Sequence, residues 1–95
     1  MKVRFTKRAQ AHLDAIFAYV ARDNPVAARR IVAKIEALAS TLEEHRGLGR
    51  PSRVPGVRIL TVPRLPYRLS YEVRRNEIRI LTVRHTSRRP LRAMK

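Results

Sequence analysis

Apolar side chains return every three or four residues along the first half of the chain and every two along much of the second. The opening Lys2-Val3-Arg4-Phe5 alternates polar and apolar, which predicts a short strand. Ala9, Leu13, Ile16, Phe17 and Val20 then fall on one stripe of a helix that Thr6 is placed to cap and that ends near Arg22. Asp23-Asn24-Pro25 stops this helix and starts another: Asn24 caps free amides, and Pro25 is tolerated where its missing N–H has no helical partner. From Val26 the positions Ala28, Ile31, Ile35, Leu38, Ala39 and Leu42 keep helical register, with Arg29, Arg30, Lys34, Glu36 and Glu43 turned mainly the other way. Helices joined by so few residues pack side by side. The result is an antiparallel hairpin whose Leu, Ile and Ala stripes need a further apolar surface to cover them.

Residues 45–56 carry all three glycines together with Pro51 and Pro55, and read as a loop. Three strands follow, Val57–Val62, Tyr67–Val73 and Glu77–Arg84, separated by Pro63-Arg64-Leu65-Pro66 and by a tight hairpin at Arg75-Asn76. In the middle strand Tyr67, Leu69, Tyr71 and Val73 share one face, opposite Arg68, Ser70 and Glu72. The last strand has apolar residues on both faces, Ile78 and Ile80 as well as Leu81 and Val83, which predicts an interior place in the sheet. The fold class is α+β in the order β-α-α-β-β-β. An N-terminal antiparallel helical hairpin is expected to pack on a mostly antiparallel four-stranded sheet, in a single domain over 1–95 with a flexible basic tail at 90–95.

Charge changes this picture more than composition does. The 95 residues include 22 Lys+Arg against 7 Asp+Glu, a formal net charge of +15, while 44% hydrophobic content keeps the chain in the folded class. Residues 50–95 hold 13 of the basic side chains and only two acids, Glu72 and Glu77. Eighteen of the basic residues are Arg, whose fork suits phosphate and carboxylate oxygens. An acidic partner is implied, either nucleic acid or an acidic protein. The absence of cysteine excludes a disulfide scaffold and a thiolate metal site. No apolar run reaches the roughly 18 residues of a membrane span, and Met1 to Phe5 lack the apolar core of a signal peptide. A cytoplasmic protein with no membrane partner is expected.

Little conventional catalytic chemistry is available. His12, His45 and His85 lie on a helix, a loop and a strand end without ligand-like spacing, so they read as surface or capping residues and no metal or other cofactor is expected. There is no nucleophile elbow, and Gly47-Leu48-Gly49-Arg50 lacks the Lys and following helix of a phosphate loop. What remains is Arg58, Arg68, Arg84 and Arg88 on or beside the strands, with His85 and Tyr67 near them in sequence. Converged on one patch, these guanidiniums would stabilise a phosphoryl-transfer transition state while a histidine moved a proton. Left apart, they would hold the protein soluble or bind an acidic partner. Tyr67 and Tyr71 share a face with Leu69 and read as core, and the 5% aromatic content disfavours a base-stacking module.

Five segments, in order, resemble the RelE/ParE superfamily of toxins from bacterial type II toxin–antitoxin (plasmid stabilisation) systems. They are Ile16-Phe-Ala-Tyr-Val-Ala-Arg-Asp-Asn-Pro25 with Ala27-Ala28-Arg29, Gly49-Arg50-Pro51, Val54-Pro-Gly-Val-Arg58, Pro66-Tyr-Arg-Leu-Ser-Tyr71, and Ile80-Leu-Thr-Val-Arg-His-Thr-Ser-Arg-Arg89. The resemblance implies a growth-arresting toxin held inactive by an acidic antitoxin, whose complex reaches operator DNA through the antitoxin. RelE-like members cut messenger RNA on the ribosome; ParE-like members inhibit DNA gyrase and cut nothing. For the nuclease branch the resemblance implies catalytic roles for Arg58, Arg68, His85 and Arg88. Leu60, however, stands where a second basic residue is expected, and no tyrosine follows Arg89. The Asp-Asn-Pro link between long helices looks more like ParE, so the reading leans to gyrase inhibition, with the ribosome-dependent nuclease as alternative and a non-toxic nucleic-acid-binding protein as a third.

Overall fold

The computed structural model describes residues 1–87, so Arg88 and the expected basic tail lie outside the described residues. The elements are β1 (Lys2–Phe5), α1 (Lys7–Ala21), α2 (Pro25–Thr41), β2 (Arg50–Pro51), β3 (Val57–Thr61), β4 (Tyr67–Arg74) and β5 (Glu77–His85). The sheet runs β1-β5-β4-β3-β2, with β1 parallel to β5 and the other pairs antiparallel. It therefore has five strands where four were expected. The added strand, β2, comes from the segment read as loop, where Arg50 and Pro51 pair with Ile59 and Arg58.

The helix boundaries follow from capping. The Thr6 hydroxyl oxygen accepts the Ala9 amide at 3.2 Å and donates to the Ile80 carbonyl at 2.9 Å, so one side chain starts α1 and ties it to β5. Asn24 accepts the Ala27 amide at 3.0 Å, and Pro25 occupies the first turn of α2. The hairpin buries Ala9, Leu13, Ala28, Ile35, Ala39 and Leu42, and the sheet face that carries Leu69, Tyr71, Ile78, Ile80 and Val83 lies in the same core.

The apolar residues of β5 do not occupy two faces. Tyr71 pairs with Ile80 but Ser70 pairs with Thr82, which leaves Leu81 as an extra residue in a β-bulge. The bulge resets the alternation, so Ile78, Ile80 and Val83 all reach the core while Leu81 is only half-buried. The interior position expected for this strand is nevertheless correct, since β5 lies between β1 and β4. At the other end of the middle strand Val73 is 40% exposed, because the β4–β5 hairpin runs out past the core.

The loop before β3 is held to the sheet by Tyr71. Its hydroxyl accepts the Gly49 amide at 2.8 Å and donates to the Arg46 carbonyl at 2.8 Å. Gly49 has no room for a side chain: a Cβ there would stand 2.8 Å from both the Ile59 carbonyl oxygen and the Tyr71 hydroxyl. That close approach fixes the path of the chain into β2.

Candidate functional site

Cross-strand partners share a face of a sheet, so the strand register decides which basic residues can meet. Arg58 stands opposite Tyr71, on the core-bearing side, and its guanidinium donates to the Gly49 carbonyl. Arg58 is thus a strut for the loop before β3. Leu60, opposite Leu69, packs against the core on the same side, which explains an apolar residue in that place.

Arg68 faces the other way. It pairs with Thr61 on β3 and Arg84 on β5, on the face of the sheet turned away from the core that the described helices cover. His85 pairs with Tyr67 on the core-bearing side, its ring edge-on to that tyrosine with centroids 5.4 Å apart. Its Nδ1 accepts the Ser87 amide at 3.2 Å and meets the Ser87 hydroxyl at 2.7 Å. Three of the four residues singled out from sequence are therefore placed, and they do not converge: Arg58 and His85 lie on one side of the sheet and Arg68 on the other. Arg88 lies outside the described residues.

The open face is electrically divided. At its hairpin end Glu72 and Glu77 neutralise Arg4, Arg74 and Arg79, with Arg4 to Glu77 at 3.1 Å and the other contacts at 3.7 Å. The hydrogen bond from Arg4 holds the Glu77 carboxyl below its ordinary value against the opposing effect of burial. In the middle of the face Ser70 and Thr82 share a hydroxyl hydrogen bond of 2.6 Å. Beyond them Arg68 and Arg84 stand directly opposite each other with no acidic partner among the described residues.

Such a pair is costly as it stands. Like charges opposite one another destabilise a sheet. The Arg68 Nε is buried without a hydrogen-bond partner, at a cost of about 1–3 kcal/mol. Burial, reinforced by the nearby Arg8, pulls the Arg84 guanidinium below its ordinary value. A bound oxyanion would satisfy the Arg68 Nε and offset the like charge across from it, so this end of the face favours negative charge. Among the described residues His85 is on the opposite side of the sheet and both strand acids are engaged at the far end.

Sequence reading placed Arg84 near this group but missed what His12 does. The His12 Nδ1 accepts the Val83 amide at 3.1 Å, on the edge of β5 beyond the end of β1. The available signal was its position beside Leu13 on the buried stripe of α1. Among the described residues no three His, Asp or Glu side chains group as metal ligands. No described helix is long and apolar enough to cross a membrane.

Residues 3–90 match the model for the ParE toxin of the type II toxin–antitoxin system parDE. The chain is 40% identical over 84 residues to toxin Y4kP of Sinorhizobium fredii, covering 88% of this chain and 86% of that protein. It is 32% identical over 87 residues to toxin RelE2 of Caulobacter vibrioides, covering 92% and 97% respectively. A chain from the chromosomal ParDE system of P. aeruginosa superposes with a TM-score of 0.82 at 38% identity, over 92% of this chain and 97% of that one. The YoeB dimer of Staphylococcus aureus shares the fold, with a TM-score of 0.61 at 18% identity over 90% and 95%. The expected superfamily and α+β fold thus stand, and the chain belongs to the ParE toxin family of type II toxin–antitoxin systems.

Proposed function

We propose that this toxin is a non-enzymatic, ParE-like inhibitor of DNA gyrase, neutralised by an acidic antitoxin. The observation that carries this reading is the separation of the basic residues a nuclease would use. Arg58 is bound to the Gly49 carbonyl on the core-bearing side of the sheet, and Arg68 stands on the open side. Metal-free phosphodiester cleavage needs a general base and acid within hydrogen-bond reach of the same phosphate that the arginines hold. The 38% identical ParDE chain, with its TM-score of 0.82, supports the same branch. On this reading the unneutralised Arg68–Arg84 pair is a contact surface for the target.

The ribosome-dependent nuclease keeps one point in its favour, the 32% identity to the RelE2 toxin. Two assays on the purified chain separate the readings. Loss of gyrase supercoiling with an intact message supports the inhibitor; a message cut on the ribosome with normal supercoiling rejects it.

A further inference from the structure

A second constellation lies at the free edge of β5 beyond the end of β1, where α1 crosses it and Arg84 can reach round from the open face. His12, Ile16 and Tyr19 from α1, Tyr67 from β4 and His85 from β5 line a pocket of about 580 Å³, with Arg84 at its border. This is within the size range of pockets that take small molecules or a few side chains. Tyr19 is 64% exposed at the rim.

The two imidazoles are set in the same way by different elements. A backbone amide can only donate, and each ring uses Nδ1 to accept one: His12 from Val83 at 3.1 Å, His85 from Ser87 at 3.2 Å. In the neutral ring the proton must then sit on Nε2. Among the described residues neither Nε2 has a hydrogen-bond partner. Two fixed N–H donors of one tautomer therefore belong to the same pocket.

We propose that this pocket is a carboxylate-binding site that takes one acidic side chain of the antitoxin, flanked by an apolar residue. The Nε2–H groups of His12 and His85 are the donors, Arg84 supplies the counter-charge, and Ile16, Tyr19 and Tyr67 cover the apolar neighbour. The site rests on the reading that the antitoxin is acidic. A nucleic-acid backbone carries a charge at every nucleotide and calls for a track of cations, whereas among the described residues Arg84 is the one cation lining this pocket, beside Ala15, Ile16, Val83 and two tyrosine rings. A chain with a net charge of +15 and only two acids after residue 49 leaves a protein partner to bring the carboxylates.

The test uses the full chain with labelled histidines, followed by NMR of the ring nitrogens. The probes are the blocked peptide acetyl-Leu-Asp-Leu-amide, its Leu-Asn-Leu counterpart, inorganic phosphate and a short single-stranded RNA. The Asp peptide is expected to shift both Nε2 resonances, with the other three leaving them in place. Equal response to the Asn peptide, to phosphate or to RNA overturns the proposal. A double variant, His12→Asn with His85→Asn, keeps an acceptor for each backbone amide but is too short to reach the pocket with a donor. With its cognate antitoxin, that variant is expected to bind about tenfold or more weakly, as loss of charge-assisted hydrogen bonds implies. Unchanged affinity overturns the pocket while leaving the toxin–antitoxin pairing intact. An antitoxin that fails to bind even the unaltered chain overturns the pairing, and the pocket assignment with it.

Discussion

His12 closes the edge of β5 by accepting the Val83 amide at 3.1 Å, at the point where β1 has already ended. A helix side chain thus replaces the strand that would otherwise satisfy this amide. Only neutral imidazole can do so. Burial first, then the nearby Arg84 and Arg8, lower the His12 pKa from its ordinary value of 6.5. The unfolded chain therefore binds the proton more readily than the folded one, and the contribution is fully present above about pH 6.5. It is lost as pH falls from there through the lower folded value. His12→Asn, which keeps an acceptor, is expected to flatten this part of the stability profile in denaturant titrations at several pH values. His12→Ala leaves the Val83 amide unpaired and is expected to cost about 1–3 kcal/mol at pH 7.

A separate acid transition is expected from Glu77. Its pKa is lowered from 4.5, chiefly by the hydrogen bond from Arg4, which links β1 to β5. The stabilisation is present above about pH 4.5 and disappears as pH falls through the depressed value. Glu77→Gln is expected to remove this lower step and leave the His12 step unchanged. Since the pair is exposed, added salt should shrink the Glu77 step more than the His12 step.

Gly49 and Tyr71 give the clearest packing test. Gly49→Ala forces a methyl group within 2.8 Å of the Ile59 carbonyl oxygen, and overpacking of this kind costs about 1–3 kcal/mol. Tyr71→Phe leaves the buried Gly49 amide without its acceptor, at a similar cost of about 1–3 kcal/mol. In a chain of this size each kcal/mol lowers the melting temperature by about 4–8 °C, which thermal unfolding will detect.

For the open face the expected sign is the reverse. Arg84→Gln removes the like charge across the strands from Arg68 and close to Arg8, so its unfolding midpoint should equal or exceed that of the unaltered chain. Its inhibition of the target should weaken about tenfold or more if a charge-assisted contact is lost. Arg75→Gln, at the positive-φ tip of the β4–β5 hairpin, removes the same charge elsewhere and should leave inhibition within about twofold. Equal loss in both variants would mean that overall charge, not this pair, sets the activity.

Local signals carried most of the fold. Thr6 and Asn24 cap the helices they were expected to cap, and Tyr67, Leu69 and Tyr71 bury one face of β4 as their alternation requires. Two features escaped because they depend on partners distant in sequence. The bulge at Leu81 is visible only once Tyr71 and Ser70 are paired with Ile80 and Thr82; without it, β5 reads as apolar on both faces. Strand β2 exists because Tyr71, 22 residues away, holds Gly49 in place. The arginines show the same limit more sharply. Their number was plain from sequence, but the register sends Arg58 and Arg68 to opposite sides of the sheet and gives Glu72 and Glu77 to one end of it. What looked like one basic cluster is a loop strut and a separate bare pair.

Supercoiling of relaxed plasmid by purified gyrase, run beside ribosome-dependent cleavage of a defined message, tests the central claim most directly. The unaltered chain is expected to stop supercoiling and leave the message whole, with the Arg84→Gln variant needing about tenfold more protein for the same effect. Normal supercoiling together with a cut message would contradict it, and would place this toxin among the nucleases despite the separation of Arg58 from Arg68.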